Sequence, residues 1–137
     1  MYTGGCFCGA VQYEADAPAL VSTWCHCSMC RRLSGAPSVA WFSVLRSQFR
    51  YVRGKPATYH SSPGVTREFC GTCGTHLTFA DDSSPADMDI TTSSLDDPEA
   101  LPPQDHTFAE NRLHWEPICD DLPRYRRTRR DGALERA

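Results

Sequence analysis

Apolar positions in this chain come in short runs of β-type residues, each closed by a turn signal. The runs Ala10–Ala15, Leu20–Trp24, Val39–Val44, Val65–Phe69, His76–Phe79 and Met88–Thr92 predict strands. Nine Gly and ten Pro are scattered along the whole length, which breaks up long helices. No internal repeat, low-complexity block or amphipathic helix stands out, although Cys30–Ser34 and Pro98–Leu101 each suit one helical turn. The pattern predicts an all-β fold of mainly antiparallel sheets, with irregular loops where the cysteines fall.

The length of 137 residues is enough for one domain with a real core. Fourteen basic against seventeen acidic side chains leave a net charge of -3, which excludes a globally basic nucleic-acid binder. No apolar run approaches the roughly 18 residues that cross a bilayer, so no membrane partner is expected. The cysteine-rich part begins at Cys6, which leaves no room for a signal or transit peptide and makes the cytoplasm the expected location. Charge is uneven. Twelve acids and one Arg lie between Asp81 and Asp121, a solvated acidic face, whereas Arg124, Arg126, Arg127, Arg129 and Arg130 crowd the end. This sets a domain over residues 2–125 apart from a basic, flexible tail over 126–137.

Eight cysteines change the picture. In a reducing compartment they point to metal or reactive thiols rather than a disulfide framework. They come as Cys6-Phe7-Cys8, Cys25-His26-Cys27-Ser28-Met29-Cys30 and Cys70-Gly71-Thr72-Cys73, with Cys119 alone. Close spacing in three clusters suits chelation, because a short loop lowers the entropy cost of bringing thiolates to one point. Zinc is the first choice for soft thiolate ligands. A closed zinc site takes four protein ligands and an open one takes three, so seven clustered cysteines suit one of each.

The run Phe69-Cys70-Gly71-Thr72-Cys73-Gly74 reads as a zinc knuckle, whose glycines let the backbone turn tightly and aim amides at the sulfurs. A knuckle needs a second pair. Cys6 and Cys8, followed by Gly9, are its natural complement, since an extended C-x-C points both side chains to one face. Cys25, Cys27 and Cys30 then form a three-thiolate cup. Spacing leaves other partitions open, including a knuckle paired with two of the middle cysteines, or Cys119 as a fourth ligand of the second site. A three-thiolate zinc still accepts a ligand, and an incoming thiol loses its proton on binding. Two such sites add negative charge, so an anionic substrate needs local help. Arg31 and Arg32, next to Cys30, are placed to give it.

The opening Gly4-Gly5-Cys6-Phe7-Cys8-Gly9-Ala10-Val11 resembles the start of the glutathione-dependent formaldehyde-activating enzyme (GFA) family, which includes centromere protein V. Cys25-His26-Cys27-Ser28-Met29-Cys30-Arg31-Arg32, followed by Ser34-Gly35-Ala36, resembles it too. So do the knuckle through Thr75 and Thr92-Ser93-Ser94-Leu95-Asp96-Asp97-Pro98, and the likeness runs from about Gly4 to Tyr125. The resemblance implies a β-tent of antiparallel sheets holding two zincs. It implies a structural zinc on Cys6, Cys8, Cys70 and Cys73, and a more labile catalytic zinc on Cys25, Cys27 and Cys30. It also implies a carbon–sulfur lyase chemistry that joins glutathione to formaldehyde as S-hydroxymethylglutathione.

Other residues have plainer expectations. His26, between two ligands, is expected to face away from the metal in a supporting or packing role. His76 is expected as a satisfied core histidine, and His60, His106 and His114 as ordinary ones. Trp41 and Phe42 belong to the core, with one of them able to line the approach to the open site. Cys119 is expected as a buried spare thiol. The partners expected are a small-molecule thiol and an electrophile. The rival reading is a non-catalytic zinc module, acting as a thiol or metal scavenger or binding nucleic acid through the Arg-rich tail.

Overall fold

Successive side chains leave a strand on opposite faces, so one strand can serve two cores. The strand Val39–Leu45 does this: Phe42 and Val44 enter one apolar cluster, and Trp41 enters another with Cys25, Cys27 and Cys30. The computed structural model describes residues 1–132. Its strands are β1 (Tyr2–Gly5), β2 (Gln12–Ala15), β3 (Val21–Cys25), β4 (Val39–Leu45), β5 (Phe49–Arg53), β6 (Ala57–Ser62), β7 (Val65–Phe69), β8 (His76–Asp81), β9 (Asp87–Thr91) and β10 (His106–Thr107). A single α-helix among the described residues, α1 (Ser28–Ser34), follows β3.

The strands form a three-stranded sheet in the order β1-β2-β5 and a seven-stranded sheet in the order β10-β3-β4-β9-β8-β7-β6. All pairings are antiparallel except that of β10 with β3. The small sheet packs on one face of the large one. Tyr13 and Ala15 of β2 share a buried cluster with Phe42, Val44, Leu77, Met88 and Ile90, and the ring of Tyr2 stacks edge-on against Phe42 at 5.7 Å. The opposite face of the large sheet carries Cys25, Trp41 and Phe79.

Each of the six expected strands is present, shifted by at most two residues at an end. Strands β1, β5, β6 and β10 were not expected. All four are sheet edges: β6 is exposed and polar, β10 is two residues long, and β5 sets Phe49 and Tyr51 inward between exposed neighbours. Beyond β10 the chain returns along it. Tyr125 N bonds to His106 O, and Phe108 N bonds to Arg127 O. In the described part of the tail, Arg126 and Arg127 pair with Glu110, and Arg129 pairs with Asp105. Residues 133–137 lie outside the described residues.

Candidate metal centres and the adjoining cavity

Cys6 and Cys8 lie in the turn after β1, and Cys70 and Cys73 in the turn between β7 and β8. Gly9 and Gly74 close these turns at φ 79° and 83°, a conformation that suits glycine. The turns are sewn together by Phe7 N donating to Thr75 Oγ1 at 3.0 Å. All four sulfurs lie within 4.8 Å of one another. The Sγ atoms of Cys6 and Cys8 are 3.6 Å apart, and those of Cys8 and Cys70 are 3.8 Å apart. A tetrahedral thiolate site with arms of ~2.3 Å has edges of about 3.8 Å, so the donor set fits a metal ion. Amides support the charge: Val11 N donates to Cys6 Sγ, and Cys73 N donates to Cys70 Sγ. The Thr75 hydroxyl and amide hold the Cys73 thiol down at about 5.

The second cluster is built differently. Cys25 ends β3, Cys27 caps α1, and Cys30 lies one turn along the helix; their sulfurs again lie within 4.8 Å of one another. Cys27 Sγ accepts from Cys30 N at 3.3 Å, so one sulfur serves both as helix cap and as cluster member. Gly35, at φ 67°, stops the helix by returning its N–H to Arg31 O. All three cysteines are buried. The sulfurs of Cys25 and Cys30, with amides of Cys30 and Met29, hold the Cys27 thiol far below its usual range. Hydrogen bonding to Cys27 and then Cys30, followed by burial, pushes the Cys25 thiol far up.

Beside this cluster lies a cavity of about 380 Å³, within the range of small-molecule sites. Strand register explains its floor, because directly opposed residues share a face. Val21 faces Ser43, Ser43 faces Asp89, Asp89 faces Phe79, and Phe79 faces Arg67, and all five line the cavity. Trp41, Phe108 and the described tail residues Thr128 and Arg129 complete the wall.

Over residues 1–111 the sequence matches the family described as glutathione-dependent formaldehyde-activating enzyme. The chain belongs to this family. A Halomonas elongata protein with the provisional name glutathione-dependent formaldehyde-activating enzyme is 30% identical over 122 residues, covering 82% of this chain and 77% of its own. The crystal structure of a Rhodobacter sphaeroides protein superposes with a TM-score of 0.60 at 27% identity, covering 69% of this chain and 87% of the other.

The structure brings Cys6, Cys8, Cys70 and Cys73 together, and Cys25, Cys27 and Cys30 separately. Cys119 joins neither group and is exposed, not the buried thiol expected; its neighbour Asp120 holds the loop to His106 of β10 and leaves Cys119 at the surface. Arg31 and Arg32 do not line the cavity. Each helical residue turns by about 100°, so α1 carries them away from Cys30; Arg31 Nη1 donates to Asn111 O and Arg32 is exposed. The cavity's cations are Arg67 and Arg129.

Two histidines, His106 and His76, depart from expectation, whereas His26 stands outside the cysteine cluster as expected. His106, read as ordinary, is 3% exposed and links His26 to Asp120: its Nδ1 lies 2.8 Å from His26 Nε2, and its Nε2 lies 2.9 Å from Asp120 Oδ2. With Nε2–H directed to the carboxylate, Nδ1 of His106 accepts from His26 Nε2–H. His26 Nδ1 is then an acceptor, buried without a partner. Burial above all holds His26 down at about 4, so it is neutral. His76 is not satisfied: neither ring nitrogen has a partner, and it stands edge-on to Trp41. The partners of His106 are 80 and 14 residues away, beyond the reach of local pattern.

Proposed function

We propose that this protein binds a small thiol, glutathione being the first candidate, and adds it to formaldehyde or a related aldehyde. The observation that carries this is the buried trio Cys25, Cys27 and Cys30 opening on a small-molecule cavity, apart from a second four-cysteine cluster. Cys6, Cys8, Cys70 and Cys73 would hold a structural zinc, and the trio a zinc with room for one further ligand. Zinc bound there supplies stabilisation of a thiolate at neutral pH and polarisation of a carbonyl oxygen.

The chain's own residues do the rest. The Cys30 amide donates to the Cys27 sulfur at the cap of α1, which favours the anionic form of that cysteine. Trp41, Phe79 and Phe108 form apolar walls that shield the reacting sulfur from water. The reaction is an addition: the thiol sulfur bonds to the carbonyl carbon, the π pair moves to oxygen, and the proton lost by the thiol completes the hydroxyl. The product is a hydroxymethyl thioether, a carbon–sulfur bond that the reverse reaction breaks. No oxidant or reductant is required.

Native mass spectrometry with and without glutathione tests the reading. Wild type is expected to carry two zincs and one glutathione, and Cys27→Ser one zinc and no glutathione. Addition of formaldehyde to wild type should then form the adduct faster than the spontaneous reaction in buffer. Two zincs with no glutathione bound would overturn the thiol assignment.

A further inference from the structure

Arg67 is the cavity's unanswered charge. It is 3% exposed, yet its Nη1 has no hydrogen-bond partner. Its Nε donates to Ser61 Oγ at 3.1 Å, and its guanidinium carbon sits 4.8 Å from the centroid of the Phe79 ring. None of the ion pairs among the described residues includes it. Burying a guanidinium without an anion costs more than a ring face returns. Fold stability alone therefore gives little reason to keep an arginine at this place on β7.

The other cation in the cavity is already engaged. Arg129 makes a two-pronged contact with Asp105, Nε to Oδ2 at 2.6 Å and Nη2 to Oδ1 at 2.8 Å. The acids on the floor do not neutralise Arg67 either. Asp89 lies two strands away with Phe79 between, and its carboxylate accepts from the Ser43 hydroxyl. The cavity is thus lined by a soft-donor cluster, Cys25, Cys27 and Cys30, and by a buried arginine with no anionic partner among the described residues.

We propose that Arg67 anchors a carboxylate of the ligand whose sulfur meets the three-cysteine cluster, so that the site selects thiols carrying a carboxylate over simple alkyl thiols. This rests on the reading of that cluster as the thiol site. A guanidinium suits the task because its planar fork meets a carboxylate through directed N–H bonds, and charge-assisted bonds in a desolvated cavity are strong. The charge closes as well: the ligand's anion supplies the counter-charge that the protein withholds.

Calorimetric titration of the zinc-loaded protein with three ligands separates the anchor from the thiol. These are glutathione, S-methylglutathione (both carboxylates, no thiol) and glutathione diethyl ester (thiol, no carboxylate). Arg67→Gln should weaken binding of glutathione and S-methylglutathione by about 10- to 100-fold and leave the diethyl ester unchanged. Arg67→Lys, which keeps the charge but loses the fork, should fall between. If Arg67→Gln does not fold, wild type alone decides, since the diethyl ester should bind about 10- to 100-fold more weakly than glutathione. Equal binding of S-methylglutathione by wild type and Arg67→Gln, or of glutathione and its diester by wild type, overturns the anchor. Glutathione binding no tighter than S-methylglutathione overturns the thiol reading instead. Failure of wild type to bind any of the three overturns both.

Discussion

A single backbone position can decide whether a cysteine-bearing turn keeps its place. Gly54 has φ 69°, and a Cβ built on it would fall 2.0 Å from the carbonyl oxygen of Ala10. That oxygen belongs to the loop between Cys8 and β2, so the contact braces the first cysteine pair from behind. Gly54→Ala meets strain in φ and a backbone clash that cannot swing aside. The expected cost is about 1–3 kcal/mol, read as a lowered midpoint in urea with the slope unchanged. An unchanged midpoint would mean that the loop is free to move. At the same scale, sequence alone identified the seven clustered cysteines because metal ligation demands particular atoms at close spacing. It placed Arg31 and Arg32 beside the trio along the chain; in the structure Arg31 bonds to Asn111 O, and neither arginine lines the cavity.

At the scale of elements, the segment after β10 is what completes the cavity. Thr128 and Arg129 line it, and they are held there by main-chain bonds to β10 and by three arginines that pair with Glu110 and Asp105. Hydrogen bonds from Arg126 and then Arg127 hold the Glu110 carboxyl below its ordinary value of 4.5. Its folded value is depressed, so its stabilisation is present above the unfolded value and is lost as pH falls through the folded one. Carboxyl NMR titration should show Glu110 ionising below its value in unfolded chain. The gap should narrow in high salt, because the pair is exposed. A Glu110 that titrates at its unfolded value would mean that this segment is not held in solution. The charge run itself was plain in the sequence; that it folds back onto β10 was not, because its acidic partners lie 16 to 24 residues upstream.

For the whole molecule, the two cysteine clusters stand in different relations to the fold. The four-cysteine group joins the turn after β1 to the turn between β7 and β8, and so ties the small sheet to the large one. The trio lies within one stretch, β3 to α1. Cys70→Ser should therefore prevent soluble folding, since a structural metal contributes folding free energy directly. Cys27→Ser should stay folded, because serine also caps a helix, and should lose one metal equivalent. Circular dichroism and metal analysis of the two variants check this, and equal unfolding of both would remove the distinction between the sites.

The amino-acid sequence by itself determined the class of fold, the six strands with apolar runs, the family and the cysteines that can hold metal. Each of these rests on local spacing: period along a strand, glycine after cysteine, two or three residues between sulfurs. Tertiary structure decided the rest. The polar edge strand β6 forms only against a neighbour already in place, so its sequence carries no signal. The bond of His26 to His106 and the opposition of Arg67, Phe79 and Asp89 arise from strand register between distant segments. Register is set when the sheets pack, and a one-residue slip would turn Arg67 out of the cavity and onto the other face.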